Sequence, residues 1–186
     1  MEYRKISKIH DGKFISRYDI EYRTSDGQQK IYEMISRNKN MTGIEDIRNP
    51  HVDAVVLIIS DMQHEHMLVN REFRPAAGTL VYNFPAGLID PGETPEQSAA
   101  RELKEETGLD LISIDDIMGP SYSAIGFSNE KNICIIGTAS GTFADSSSVF
   151  EEITPVWLSK EDVRHMLKTE IFTARTQAYL YMWSRQ

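Results

Sequence analysis

The sequence predicts an α+β fold in which strands surround one well-marked helix, further helices follow late in the chain, and a small antiparallel sheet stands at the N-terminus. Three observations predict it. Residues Pro95 to Thr107 carry both a start and a stop signal for a helix about three and a half turns long. Alternating apolar and polar runs, separated by turn residues, precede and follow that helix. Two further helix-compatible stretches lie near the C-terminus. Strands packed with helices in this order suit an α+β sandwich.

In chain order, residues 13–36 alternate on either side of Ser25, Asp26 and Gly27, a hairpin signal. A sheet this small is not stable alone. Residues 1–45 are read as that N-terminal segment and residues 46–186 as the main domain, with the polar stretch Asn38 to Pro50 separating the small sheet from it. Val52 to Ser60 and Met67 to Phe73 flank Asp61 to His66 as a second hairpin, and the run Ala54 to Ile59 is apolar enough for a central strand. Leu80 to Phe84 leads into a glycine-rich turn. Beyond the marked helix, Ile112 to Met118 reads as a strand or a helical turn, and Lys131 to Ser140 and Thr154 to Leu158 read as strands. Ser159 can cap a helix over Lys160 to Lys168, and a last helix is expected over Ala174 to Trp183.

The marked helix has the clearest chemistry. Thr94 is its N-cap, Pro95 its first residue, Gln97 completes a capping box, and Gly108 supplies a left-handed stop. Glu102, Glu105 and Glu106 fall at i, i+3 and i+4, on one side of the helix. Glu102 faces Glu106 across one turn, where a solvated ladder would place lysine, and Arg101 to Glu105 is the opposite-sign pair. A cation is expected there. Hard oxygen donors without clustered His or Cys select Mg2+, with Mn2+ as a substitute, rather than zinc.

Composition narrows the partners. The 186 residues suffice for one domain with a substantial core. A net charge of -8 and a pI near 5.1 argue against a nucleic-acid partner, because phosphate backbones are held by clustered Lys and Arg. Cys134, the only cysteine, lies in an apolar run and reads as a buried, inert thiol. The N-terminus has no apolar signal core, and no apolar run is long enough to cross a bilayer. No membrane partner and a cytoplasmic location are the expectation.

The full spacing is Gly87, five residues, Glu93, seven residues, Arg101, Glu102, Leu103, one residue, Glu105, Glu106, one residue, Gly108, Leu109. It resembles the Nudix box at every defining position, residues 87–109. With average residue usage, nine such matches arise by chance with a probability on the order of one in ten million. The resemblance implies an α/β/α sandwich with a mixed sheet. REFRPAAGTLVYNFPAGLIDPGETPE, Arg71 to Glu96, and DGKFISRYDIEYRTSDGQQKIYEMISR, Asp11 to Arg37, are similar to the ADP-ribose pyrophosphatase group of nucleoside diphosphate sugar hydrolases.

The resemblance implies roles residue by residue. Glu102 and Glu106 bind Mg2+ with the backbone carbonyl of Ala86, Glu105 and Glu93 support or share the metals, and Arg101 orients the carboxylates. Phe14, and Tyr32 with Glu33, match the aromatics and glutamate that enclose adenine, in place of the family's usual tryptophans. Arg37 and Arg74 match arginines that contact the pyrophosphate and ribose. The segment SAIGFSNE, Ser123 to Glu130, keeps Gly126, Ser128 and Glu130 of a substrate-pocket motif but lacks its proline. In the loop ADSSSVFEEI, Glu151 and Glu152 stand where relatives place a mobile catalytic glutamate. A homodimer is also implied, with one chain's N-terminal sheet helping to build the other's pocket. The activity implied is Mg2+-dependent hydrolysis of ADP-ribose to AMP and ribose 5-phosphate. Two alternatives are another nucleotide sugar, such as a GDP- or UDP-hexose, and a non-catalytic ADP-ribose sensor. The presence of every box glutamate argues against the sensor.

Overall fold

The computed structural model describes residues 1–146 and 151–186. By internal contacts the chain groups into two units, Met1–Asp53 with Pro120–Asn132, and Ala54–Gly119 with Ile133–Gln186.

In the first unit, β1 (Glu2–Asp11), β2 (Ser16–Arg23) and β3 (Gln29–Ser36) form an antiparallel sheet in that order. The β2–β3 turn is the expected one, with Gly27 at φ 86°, a left-handed value that glycine adopts without strain. Tyr18, Ile20, Met34 and Met41 form the unit's core. The sequence reading did not include β1. Its pairing with β2 shifts register between Tyr3 and Lys5 and again between Lys8 and His10, and these irregularities break the period-two pattern by which a strand is recognised. Nor did it include α1 (Ile44–Arg48), a single turn inside the polar stretch. Asp46 accepts from the N–H groups of Thr42 and Gly43 at its start, and the Asn129 amide donates to the carbonyls of Asp46 and Ile47 near its end. A partner more than eighty residues away completes this helix.

The second unit holds β4 (Ala54–Ser60), β5 (His66–Arg74), β6 (Thr79–Asn83), β7 (Ala86–Leu88), α2 (Pro95–Thr107), β8 (Asp110–Tyr122, whose last residues belong to the first unit), β9 (Lys131–Ser140), β10 (Ile153–Ser159), α3 (Lys160–Met166) and α4 (Ala174–Trp183). The mixed sheet runs β10-β5-β4-β9-β8, with β6 on β5 and β7 on β4. Alternation along β4 sorts the core into two layers. Val55, Leu57 and Ile59 pack with Leu68 and Ile135 against Ala99 and Leu103 of α2. Val56 and Ile58 pack with Met67, Val69 and Cys134 against Val163 of α3 and Leu180 of α4. This is the expected α/β/α sandwich. Cys134 is buried in the second layer, and burial pushes its thiol pKa up. The stretch at Ile112 to Met118, open between strand and helical turn, is strand.

Candidate active site

The cluster of acidic residues is built on α2 and the two strands beneath it. Thr94 Oγ1 accepts from the Gln97 N–H at 3.3 Å while the Gln97 side chain accepts from the Thr94 N–H at 2.9 Å, and Gly108 closes the helix at φ 78°. Its buried stripe, Ala99 and Leu103, fixes the rotation of the helix, so Glu102 and Glu106 are set by packing and not by their own charges. Glu102 lies directly over β7. A Cβ on Gly87 would overlap the Glu102 carboxylate, which explains why the box needs glycine there.

Arg101 is the hub. Its Nε and Nη2 bind the two Glu93 oxygens at 2.9 Å each, Nη1 reaches Glu102 at 2.8 Å and Glu105 at 3.2 Å, and Nη2 also donates to the Leu88 carbonyl and Ser98 Oγ. The Arg101 hydrogen bonds, aided by Ser98 and the Asp90 N–H, lower the Glu93 pKa to about 2. Glu93 was expected among the groups that support or share the metals. Both of its oxygens accept hydrogen bonds from protein donors, chiefly the Arg101 guanidinium. Glu102 is half-buried and its pKa is raised, first by desolvation and then by Glu105 and Glu151, against the lowering effect of Arg101.

Among the described residues no cation pairs with Glu106. It is 8% exposed, and its pKa stands well above the ordinary carboxylate value because it is desolvated and faces the charges of Glu102, Glu72 and Glu151. The Asn70 amide donates to Glu106 at 2.7 Å. Glu72, also 8% exposed, takes Asn83 Nδ2 at 2.8 Å and Arg74 Nη1 at 2.9 Å. Asn70 and Glu72 were missed in the sequence. The signal was present: Leu68, Asn70 and Glu72 share one face of a strand, and polar residues continuing a buried apolar face mark a site.

The donor set suits a hard divalent ion. Among the described residues, no three His, Cys, Asp or Glu side chains converge as a ready-made ligand cluster. A cation here would therefore rely on few carboxylates, with main-chain and substrate oxygens completing its shell, as Mg2+ commonly does. Buried Glu106, whose charged form is disfavoured and which among the described residues has no cationic partner, is the observation that fits such an ion. Glu151 acts electrostatically on both Glu102 and Glu106, whereas the Glu152 carbonyl accepts from the Phe73 N–H. Residues 147–150 of that loop lie outside the described residues.

The remaining expected site residues lie in the first unit. Tyr32 hydrogen-bonds the Gly126 carbonyl, the Ile35 N–H donates to Phe127, and Arg37 pairs with Glu130 at 2.6 Å, so β3 holds the Ser123 to Glu130 segment. Glu33 pairs with Arg17. Tyr32 lines a largely apolar cavity of about 470 Å3 with Tyr22, Met34, Tyr122 and Phe127. Phe14 is 69% exposed in the β1–β2 connection, beneath the Lys13 ammonium. Ser16 pairs with Ser36 and Ile20 with Tyr32, so Tyr32 stands four residues along the ladder from the end of β2 next to which Phe14 lies.

A NUDIX domain model matches residues 50–179. The chain belongs to the Nudix family. Within this family it is 30% identical over 142 residues to an ADP-ribose pyrophosphatase of Saccharomyces cerevisiae, covering 73% of this chain and 57% of that one. It is 31% identical over 100 residues to an ADP-sugar pyrophosphatase of Mus musculus, covering 54% and 44%. The chain thus spans about half the length of these curated relatives. A crystal structure of an ADP compounds hydrolase superposes with a TM-score of 0.73, at 18% identity, over 98% of this chain and 92% of the other, a likeness of fold.

Proposed function

We propose that this Nudix protein is a pyrophosphohydrolase that cleaves the diphosphate of ADP-ribose or a related nucleoside diphosphate sugar, giving a nucleoside monophosphate and a sugar phosphate. The observation that carries this is the intact set Glu93, Arg101, Glu102 and Glu105 beside the buried carboxylate of Glu106. The names of the relatives support the substrate class.

In this reading Glu102, Glu106 and the Ala86 carbonyl would hold Mg2+, or Mn2+ in its place. When bound, the ion supplies Lewis-acid polarisation of the diphosphate and a more acidic water. Glu93 holds Arg101, and Arg101 with Gly87 fixes the Glu102 carboxylate. Glu151, with Glu152 and Glu105 as alternatives, accepts the proton of the attacking water. The water oxygen bonds to phosphorus, and the anhydride P–O bond breaks with its electron pair on the leaving phosphate. Arg74, held at Glu72, and Arg37, held at Glu130, bind phosphate and ribose oxygens.

Tyr32 and Glu33 read the base. Phe14 stands exposed in the β1–β2 connection, off the end of the ladder that carries Tyr32, and reaches that base from a second copy in a homodimer. Light scattering that returns a strict monomer at micromolar concentration contradicts this. Among the described residues no helix is long and apolar enough to span a membrane, and we place the protein in the cytoplasm, without a nucleic-acid or membrane partner.

The deciding experiment is phosphate-coupled hydrolysis of ADP-ribose, GDP-mannose, UDP-glucose and NADH with Mg2+ or EDTA. Preference for ADP-ribose, abolished by EDTA, is the expected result. Preference for another nucleotide sugar, the reading favoured by Phe14 and Tyr32 in place of tryptophan, keeps the chemistry and overturns the adenine assignment. Metal-independent inactivity on all of them, with ADP-ribose still bound, supports a sensor.

A further inference from the structure

The β5–β6 ladder sets Asn70 directly opposite Asn83, and each amide donates to a different buried carboxylate. Asn70 Nδ2 meets Glu106 Oε2 at 2.7 Å, and Asn83 Nδ2 meets Glu72 Oε2 at 2.8 Å. All four residues are buried, at 1% to 8% exposure. Both amide oxygens lack a hydrogen-bond partner among the described residues, although burying an unpaired acceptor is unfavourable. The N–H ends are therefore the ends in use. The two carboxylates differ in what else they touch: Glu72 Oε1 is taken by Arg74, whereas no hydrogen bond among the described residues reaches Glu106 Oε1.

We propose that Asn70 is a positioning residue for the cation site: by holding Glu106 Oε2 it fixes the rotation of that carboxylate and leaves Oε1 as its cation-binding oxygen. This rests on the reading of Glu106 as a metal ligand. Asn83 has the same burial and the same kind of bond, but to a carboxylate tied to Arg74. It is the internal comparison.

The test is Mn2+ binding to the full-length protein, followed by the electron paramagnetic resonance of free Mn2+, with a thermal melt of each variant. Asn70→Leu and Asn70→Asp are expected to raise the Mn2+ dissociation constant about 10- to 100-fold, the usual effect of removing a group that orients a ligand. Asn83→Leu is expected to stay near wild type. If Asn70→Leu does not fold, the near-isosteric Asn70→Asp decides. Wild-type affinity in the folded Asn70 variants, with binding lost in Glu106→Gln, overturns the positioning role and leaves the metal reading intact. Equal loss in the Asn70 and Asn83 variants also overturns it, because the effect is then one of general packing. No Mn2+ binding by wild type overturns both readings.

Discussion

Replacing Gly87 with alanine adds one carbon at the point where β7 meets the carboxylate of Glu102. The new Cβ would overlap that group, and ordinary van der Waals contact requires the carboxylate to retreat by more than about 1 Å. Two responses are open. If Glu102 moves, a ligand displaced by about 1 Å costs roughly 100-fold in turnover. If the backbone moves instead, overpacking costs about 1–3 kcal/mol. At about 2–4 °C per kcal/mol for a chain of this length, Tm then falls by about 2–12 °C. Steady-state hydrolysis at saturating Mg2+ reads the first response and a thermal melt reads the second. The Glu102→Ala background separates them further, because removing the carboxylate removes the clash, and there Gly87→Ala should cost neither activity nor stability beyond Glu102→Ala alone. A Gly87→Ala protein with both wild-type turnover and wild-type Tm refutes the account of why glycine stands at that position.

Thr94→Ala removes the helix N-cap and should cost about 1 kcal/mol, seen as a Tm lower by roughly 2–4 °C. Leu103→Ala opens a cavity between α2 and the sheet and should cost about 2–5 kcal/mol, measured by denaturant unfolding. Arg101→Lys replaces a forked donor with a single ammonium that cannot hold both Glu93 oxygens. The Glu93 pKa, about 2 in the wild type, should rise toward 4.5 in a carboxyl NMR titration. A depressed carboxylate contributes stability that is present above its unfolded pKa and lost as pH falls toward 2, so this acid-side loss should shrink in the variant. Glu106 is shifted the opposite way: burial and its carboxylate neighbours raise it above 4.5, and a cation binds the deprotonated form. The acid limb of kcat/KM should therefore lie above pH 4.5 and move to lower pH as Mg2+ increases. A limb indifferent to Mg2+ counts against the assignment.

The parts of this protein that were legible are those determined by neighbours in sequence. The caps of α2, the Ser25–Gly27 turn and the Ser159 cap are contacts spanning four residues or fewer, and the i, i+4 spacing of Glu102 and Glu106 is a property of any helix. The strands β4, β9 and β10 were readable because each is a short run rich in apolar and β-branched residues, β4 apolar throughout from Ala54 to Ile59. The N-terminal strand escaped notice because two irregularities interrupt its period, and the single turn α1 because Asn129, more than eighty residues away, completes it.

The local chemistry of the site was likewise written in order along the chain, whereas its surroundings were not. Sequence alone determined the capped helix, the row of carboxylates upon it and the arginine among them, since each depends on spacing within a few turns. Only the tertiary structure decided that Glu93 serves Arg101, that Asn70 holds Glu106 beside a second buried carboxylate, and that Phe14 and Tyr32 stand apart. The physical reason is that burial, hydrogen-bond partners and distances across a sheet are set by which strands pair and in what register.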